Sequence, residues 1–409
     1  IIDIKSSQVA TVFHRAQVAW YALMLEAVLE QNGINGRVHD GAEIWHRRPQ
    51  GRSPDVAEPW TVSSFNVRAY REMVRDWAGN ELQQMARVRV GSGRDETQFH
   101  VYFKCEQCDY LDHCMKGLSD AIPPPDRDVS AVPGLTQQSK RTLVRSRLLT
   151  VGDLAQGGGV VGEGHLADWR LSTRGPVLVQ RAQALAEGEV RQLLDRVSIR
   201  MPPHTDVAVH LVADRDPIEG RLATLGALVV VDGGLGEPWV RTIASHWEEA
   251  EALHHILGRL AAQLAETDAV NAAGAKRILH FFVYEPAESR DLANALGAHL
   301  SEPEVQNHLL DLVRMFPPPE AAPEPEYRGY HHLPACALRT VFEETHALPL
   351  QVSVDLARVS RALDGAATPL TSPYRPGEGF ANLFSSRLSL THCRELASGK
   401  ADRDAISAN

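Results

Sequence analysis

Asp3 and Lys5 stand two positions apart at the start of the chain, and this pair of residue types can support metal-dependent hydrolysis. Residues 1–7 (IIDIKSS) predict the end of a buried strand, and side chains two apart on a strand project from the same face. A carboxylate there can bind a divalent metal, while a lysine ammonium can orient an attacking water and neutralise phosphate charge. Asp-x-Lys also occurs by chance at solvated strand ends. The residues of the next element therefore have to distinguish a hydrolytic site from an ordinary strand end.

The helix predicted over residues 8–31 carries a second pair of polar side chains, Gln17 and Tyr21. They are four apart, hence on one helix face. An Asp-x-Lys strand followed by a Gln-x-x-x-Tyr helix resembles the RecB-like branch of the PD-(D/E)xK nucleases. The resemblance implies a restriction-endonuclease-like α/β domain in which Asp3 binds catalytic Mg²⁺ or Mn²⁺ and Lys5 assists the attacking water. Gln17 and Tyr21 would position the nucleic acid strand, and ordinary helix surface and core packing is the alternative.

In that nuclease family, a histidine on a helix and an acid on a strand precede the Asp-x-Lys motif. This sequence begins at Ile1, without an initiator methionine. We therefore expect these two elements upstream of Ile1, in a longer chain of which the present sequence is a part. Further along, residues 38–48 predict a short strand and residues 63–89 a longer helix.

Three of the five cysteines fall within ten residues, as the C-x2-C-x5-C motif of Cys105, Cys108 and Cys114. This clustering favours metal binding over a disulfide framework. Zinc and iron–sulfur clusters normally take four protein ligands, and the local sequence offers three cysteines. His100 or His113 can complete a zinc site.

Residues 98–104 (QFHVYFK) predict a strand that leads directly into this motif. Such a strand and cysteine motif, placed after Gln-x-x-x-Tyr, resembles the iron–sulfur RecB-like nucleases, in which one cysteine precedes the nuclease core and three follow it. The resemblance implies a 4Fe–4S cluster whose fourth ligand lies upstream, with Zn²⁺ as the alternative.

A proline-rich linker over residues 121–133 leads into a short helical region. Residues 132–155 resemble a helix-hairpin-helix module, and the stretch 136–150 contains basic residues and no acid. A phosphate-binding patch is predicted there, with a solvated helix face as the alternative. The basic residues are Lys140, Arg141, Arg145 and Arg147.

The second half of the chain alternates strands and helices, which predicts a mixed α/β domain. Strands are predicted at 207–213, 222–231 and 277–284, with helices at 246–266, 286–299 and 303–315. Residues 206–316 resemble the RNase-H-like exonuclease domain that follows the nuclease in a bacterial RecB-like family, and such enzymes hold two metals with clustered acids. The candidate acids for this second site are Asp214, Asp216, Glu285 and Asp311.

Val212 occupies a strand position where that resemblance expects an acid, so we expect a degraded or absent active site in this domain. The predicted boundaries are a nuclease domain with the cysteines over 1–120, a linker and helical region over 121–200, and the RNase-H-like domain with a helical extension over 201–409. Residues 353–384 resemble members of the family that are fused to a superfamily-one helicase, which implies a helicase domain or subunit as partner.

The composition fits a globular protein, with 44% hydrophobic and 23% charged residues, and no apolar run reaches the length of a membrane span. We also find no secretion signal. The expectation is a cytoplasmic protein without a membrane partner. The net charge of −10 argues against coating of nucleic acid through bulk charge, but it leaves a local basic groove open.

The leading hypothesis is a divalent-metal-dependent nuclease that acts on single-stranded DNA or duplex ends in repair, recombination or defence. The second is a catalytically inactive nucleic-acid-binding platform with a structural metal cluster. A third is a zinc-stapled interaction module unrelated to nucleic acid.

Overall fold

The structure, a computed structural model, describes a large part of the chain, as two compact units with separate cores. The first unit comprises Ile1–Asp95 and Pro217–Gly220, and the second comprises Glu96–Asp216 and Arg221–Asn409. The described residues are 1–5, 7, 9–47, 60–83, 99–102, 105, 111–119, 121–157, 168–193, 200–202, 204–216, 219–308, 335–364 and 393–399.

A three-stranded sheet organises the first unit. Its strand order is β1-β2-β3, with β1 parallel to β2 and β2 antiparallel to β3. Parallel neighbours require a crossover connection, and helix α1 lies in the chain between β1 and β2. The elements are β1 (Ile2–Lys5), α1 (Val12–Gln31), β2 (Gly41–Arg47), β3 (Trp60–Asn66), α2 (Arg68–Trp77) and a π-helical turn at Ala78–Leu82.

The core of this unit forms where α1 packs on one face of the sheet. Val18 and Ala19 of α1 and Ile44 of β2 are fully buried in one cluster. In the parallel register Asp3 pairs with Ile44 and Lys5 with His46, so these four side chains share the sheet face that α1 covers.

Helices and turns form the first part of the second unit. Two helices, α4 (Gln137–Arg145) and α5 (Val151–Gln156), overlap the predicted helix-hairpin-helix stretch, and each begins after a threonine N-cap, Thr136 and Thr150 respectively. Their core includes Leu143, Val151 and Leu171. The helices are α3 (Leu111–Met115), α4 (Gln137–Arg145), α5 (Val151–Gln156) and α6 (Trp169–Glu187), with 3₁₀ turns at Lys116–Leu118, Pro124–Asp126 and Val129–Ala131.

A six-stranded mixed sheet forms the other part. Strands β5, β6 and β8 are antiparallel neighbours, while β9 and β10 continue the sheet from β5 as parallel strands. The short β7 also pairs with β6. The strands are β5 (Val207–Arg215), β6 (Leu222–Val231), β7 (Gly234–Leu235), β8 (Trp239–Thr242), β9 (Leu279–Val283) and β10 (Ala335–Ala337).

Two long helices follow strands of this sheet and share one core with it. Alternate residues of β5, from Val207 to Ala213, are buried, and they pack with Leu253 of α7 and Leu292 of α8. The helices are α7 (His246–Ala272), α8 (Pro286–Ala298), α9 (Pro303–Asn307), α10 (Leu338–Thr345) and α11 (Leu356–Asp364), and a small sheet pairs β4 (Arg191–Gln192) with β11 (His346–Ala347).

The structure confirms a mixed α/β architecture, and it corrects two local predictions. Residues 63–66 belong to β3, so the helix predicted from Ser63 begins only at Arg68. Residues 99–102, the described part of the strand predicted at 98–104, are not in a strand. None of the described helices is both long enough and apolar enough to span a lipid bilayer.

Candidate active site and metal-binding thiols

The structure brings the four predicted nuclease residues together in one chain of contacts. The Lys5 ammonium lies 3.0 Å from Asp3 Oδ2 and donates a hydrogen bond to Gln17 Oε1 at 2.7 Å. The Gln17 amide in turn donates to the Tyr21 hydroxyl. Two separate elements, β1 and α1, therefore deliver Asp3, Lys5, Gln17 and Tyr21 to one place.

Local backbone geometry explains why these residues meet. Asp3 and Lys5 alternate with Ile2 and Ile4 on β1, so they point toward α1 while the isoleucines are exposed on the other face. The N-terminus of α1 is fixed by Thr11, whose hydroxyl accepts the amide hydrogen of His14. Gln17 and Tyr21 then follow one turn apart.

Asp3 has the properties of a metal ligand. Its side chain is 14% exposed, and Oδ2 is buried without a well-oriented hydrogen bond from the described residues, although Lys5 lies beside it. Carboxylate oxygens are ligands for hard cations, and Mg²⁺ is usually bound through one or two carboxylates together with water and phosphate oxygens. Asp3 can supply one such ligand.

Two histidines extend this cluster. His46 lies opposite Lys5 in the parallel register, is 6% exposed, and contacts the Ser63 hydroxyl through Nε2 at 2.9 Å. No described residue hydrogen-bonds to its Nδ1. The pKa of His14 is lowered, first by partial burial and then by the nearby Lys5 charge. The sequence contained an indication that His46 is buried, because it follows the alternate positions Ala42 and Ile44, which are also buried.

Cys105 and Cys114 both pack against the helical core of the second unit, and both carry free thiols. Cys108 lies outside the described residues. His113 is exposed, whereas burial and the Lys140 charge lower the pKa of His100 to about 4. A neutral imidazole is the form that binds zinc. Among the described residues, Cys105 and Cys114 do not form a three-ligand group with either histidine, so the metal cluster stays a prediction.

The predicted basic patch needs one correction, because Lys140 is fully buried. Its ammonium donates to both carboxylate oxygens of Asp128 at 2.8 Å and to the Phe99 carbonyl. Lys140 is a structural residue in this arrangement and cannot contact a phosphate. Arg145 and Arg147 are exposed and Arg141 is half-buried, so the arginines of the patch remain at the surface.

Two of the acids predicted for the second site form contacts with different arginines. Asp216 is buried 3.9 Å from Arg394, and Glu285 forms a 2.7 Å ion pair with Arg339. Asp311 lies outside the described residues. Another acid, Glu288, is influenced by the Asp214 charge: burial first and then this charge raise the pKa of Glu288 to about 7. Sequence reasoning missed Glu288, whose signal is its position three residues after the α8 N-cap.

A further group of potential ligands joins α7 to α9. Ligand atoms of His254, Glu302 and Glu304 all lie within 4.8 Å of one another. Both carboxylate oxygens of Glu302 are already held at 2.6 Å, one by His254 and the other by His299. These contacts describe a histidine–carboxylate network between helices.

Comparison with known proteins yields no match to the chain, whether with protein-family models, curated proteins or solved structures. Any functional assignment therefore depends on the residues and their geometry.

Proposed function

We propose that the first unit carries the active site of a divalent-metal-dependent DNA nuclease. The observation that supports this most is the contact chain from Asp3 through Lys5 and Gln17 to Tyr21. Spacing within β1 and within α1 predicts two same-face pairs, but it does not require the pairs to meet. Residues that act in one reaction must lie close together, and the contact between the two pairs meets this requirement.

Each residue has a defined task in phosphodiester hydrolysis. A bound Mg²⁺ or Mn²⁺ would lower the pKa of a water molecule and neutralise charge on the phosphate. Asp3 would hold the metal through its buried oxygen. Lys5 would orient the attacking water and donate hydrogen bonds to the phosphate, and Gln17 holds the ammonium in place by accepting a hydrogen bond from it. The Tyr21 hydroxyl, at the end of this chain, would contact the bound strand.

The second unit supports the same proposal through its thiols and its sheet. We assign Cys105, Cys108 and Cys114 to a 4Fe–4S cluster, with Zn²⁺ as the alternative metal. An RNase-H-like fold is proposed for the sheet domain, since three antiparallel strands are continued by two parallel ones with helices between them. A helicase partner and a cytoplasmic location remain predictions from the sequence.

The alternative is a nucleic-acid-binding platform without catalysis. One observation favours it for the second unit, where Asp216 and Glu285 pair with arginines and the exposed Val212 replaces an expected acid. In that case the metal cluster would be architectural. The two proposals differ in what happens when Asp3 or Lys5 is changed.

The test uses the full-length natural protein and labelled single-stranded and duplex DNA with Mg²⁺ or Mn²⁺. Lys5→Ala and Asp3→Asn should each lower the cleavage rate by about 100-fold or more, because Lys5→Ala removes a positive charge that stabilises the phosphate and Asp3→Asn removes a carboxylate ligand of the metal. Lys276→Ala, which removes an exposed lysine of the second unit, is the matched control and should cut at the wild-type rate. Undiminished cleavage by Lys5→Ala would refute the assignment. If the wild type and the variants all bind DNA and none of them cleaves it, the non-catalytic platform is the correct alternative.

A further inference from the structure

We propose that Trp169 and the arginines around it form a binding surface for single-stranded DNA on the helical part of the second unit. Trp169 is the first residue of α6, and it is 71% exposed. The guanidinium of Arg170 lies over its ring, 5.3 Å from the centroid. Arg170 covers one face of this indole ring. The rest of the exposed ring can contact a planar ligand.

The surrounding charge is positive on both helices. Arg170 donates a hydrogen bond to Gln138 at 2.5 Å, which ties the start of α6 to α4. Gln138 shares its helix face with Arg141 and Arg145, three and seven positions further along α4, and Arg174 follows Arg170 by one turn of α6.

The two helices contribute no exposed acid near this surface. Helix α4 contains none, and the acid of α6 is Glu187 at its far end. Asp168, the N-cap of α6, is buried and accepts the amide hydrogen of Arg170. The surface is therefore locally basic although the whole chain has a net charge of −10.

Single-stranded DNA is the ligand that this combination fits. Its phosphates complement the arginines, whose planar forks bind phosphate oxygens in pairs. Its bases are free to stack on an aromatic ring, whereas the bases of a duplex are already stacked within the helix. The surface keeps Arg141 and Arg145 of the sequence-predicted patch, excludes the buried Lys140, and adds Trp169, Arg170 and Arg174.

The chain offers a matched control in Trp247. This tryptophan is 72% exposed and is the second residue of α7, so its exposure and helix position resemble those of Trp169. Its neighbourhood is acidic, because Glu248 follows it directly and Glu251 lies one turn further, paired with Arg241. The two tryptophans thus differ mainly in the charge around them.

The experiment measures binding of a fluorescein-labelled oligothymidylate of about 15 nucleotides to the full-length protein in EDTA, by fluorescence anisotropy. Trp169→Leu should weaken binding by about 5- to 150-fold, the usual cost of losing one base–aromatic stack. Its salt dependence should be unchanged. Arg174→Ala should instead reduce the slope of log affinity against log salt by about one. Trp247→Leu should bind as the wild type does.

Equal affinity of Trp169→Leu and Trp247→Leu would overturn the proposal, provided that circular dichroism shows both variants folded. Wild-type preference for duplex over the single strand would also overturn it. The choice of DNA as ligand rests on the proposed nuclease function, but binding in EDTA does not require cleavage. A protein that binds through Trp169 and never cuts DNA would retain this surface and lose only the nuclease assignment.

Discussion

Lys5 and Lys140 show how burial and partners give one residue type two roles. Lys5 is 19% exposed, and its ammonium lies beside one carboxylate and one amide oxygen at the edge of the first unit. A substrate can still reach it. The ammonium of Lys140 is fully enclosed by Asp128, the Phe99 carbonyl and the Phe99 ring at 5.1 Å. Its charge is balanced inside the protein, so it contributes to the fold.

Lys140→Met should therefore destabilise the second unit by about 3–5 kcal/mol, because it leaves the Asp128 carboxylate without its buried counter-charge. Urea denaturation monitored by circular dichroism measures this loss. Arg145→Met, which changes an exposed residue of the same helix, should stay within about 0.5 kcal/mol of the wild type. An unchanged unfolding free energy in Lys140→Met would mean that the ammonium is solvated and available to ligands.

At the scale of elements, the start of α8 depends on a carboxyl group with an unusual pKa. Glu288 Oε2 accepts the amide hydrogens of Tyr284 at 2.8 Å and Glu285 at 2.7 Å, completing a capping box. Burial and the Asp214 charge together raise the pKa of Glu288 to about 7, although the hydrogen bonds from backbone amides oppose the shift. The cap is therefore partly protonated at neutral pH.

Glu288→Gln should flatten the pH dependence of stability between about pH 4.5 and pH 7. The pKa of Glu288 is raised in the folded state, so its favourable contribution is complete below the unfolded pKa and is lost as pH rises through about 7. The wild type should lose about 3 kcal/mol from this group over that range. Glutamine keeps the acceptor oxygen but does not titrate. The free energy of unfolding of the wild type and of Glu288→Gln is measured by urea denaturation at pH 5 and at pH 8. An equal change between the two pH values in both proteins would contradict the prediction.

Periodicity predicted several strands and helices of the second unit. The alternating run at 207–213 and the apolar run at 222–231 became the adjacent strands β5 and β6, and helix α7 covers the predicted 246–266. Residues 63–66 were assigned to a helix wrongly, because their strand conformation depends on pairing with β2. The local pattern does not identify the strand with which these residues pair.

The same limit applies to the site. Spacing placed Asp3 with Lys5 and Gln17 with Tyr21, because each pair shares one element. Lys140 was wrongly assigned to the surface, since its partner Asp128 lies in a different turn. Only its position three residues before the buried Leu143, on the core face of α4, indicated burial.

At the scale of the whole molecule, the described cysteines fall into two chemical classes. Cys336 is buried in a small apolar cluster, and burial raises the pKa of its thiol to about 12. Cys393 is also buried, where it donates to the Ile243 carbonyl at 2.9 Å and accepts from Arg221. Cys336 is therefore held as a thiol, whereas metals bind thiolates. Cys105 and Cys114 are only half-buried, which leaves them available for metal binding.

Cys105→Ser and Cys114→Ser should each lower the metal content of the purified full-length protein, since a cluster normally needs every one of its four ligands. Iron, sulfide and zinc are measured per chain after anaerobic purification, together with the visible absorption of an iron–sulfur cluster. Cys336→Ala is the control, because its thiol is buried away from that group, and it should retain the wild-type metal content. Iron with sulfide would identify the cluster, and zinc without sulfide the alternative site. Full metal content in Cys105→Ser would show that the cysteine motif does not bind the metal. The nuclease proposal would then depend on the cleavage rates of the Asp3 and Lys5 variants alone.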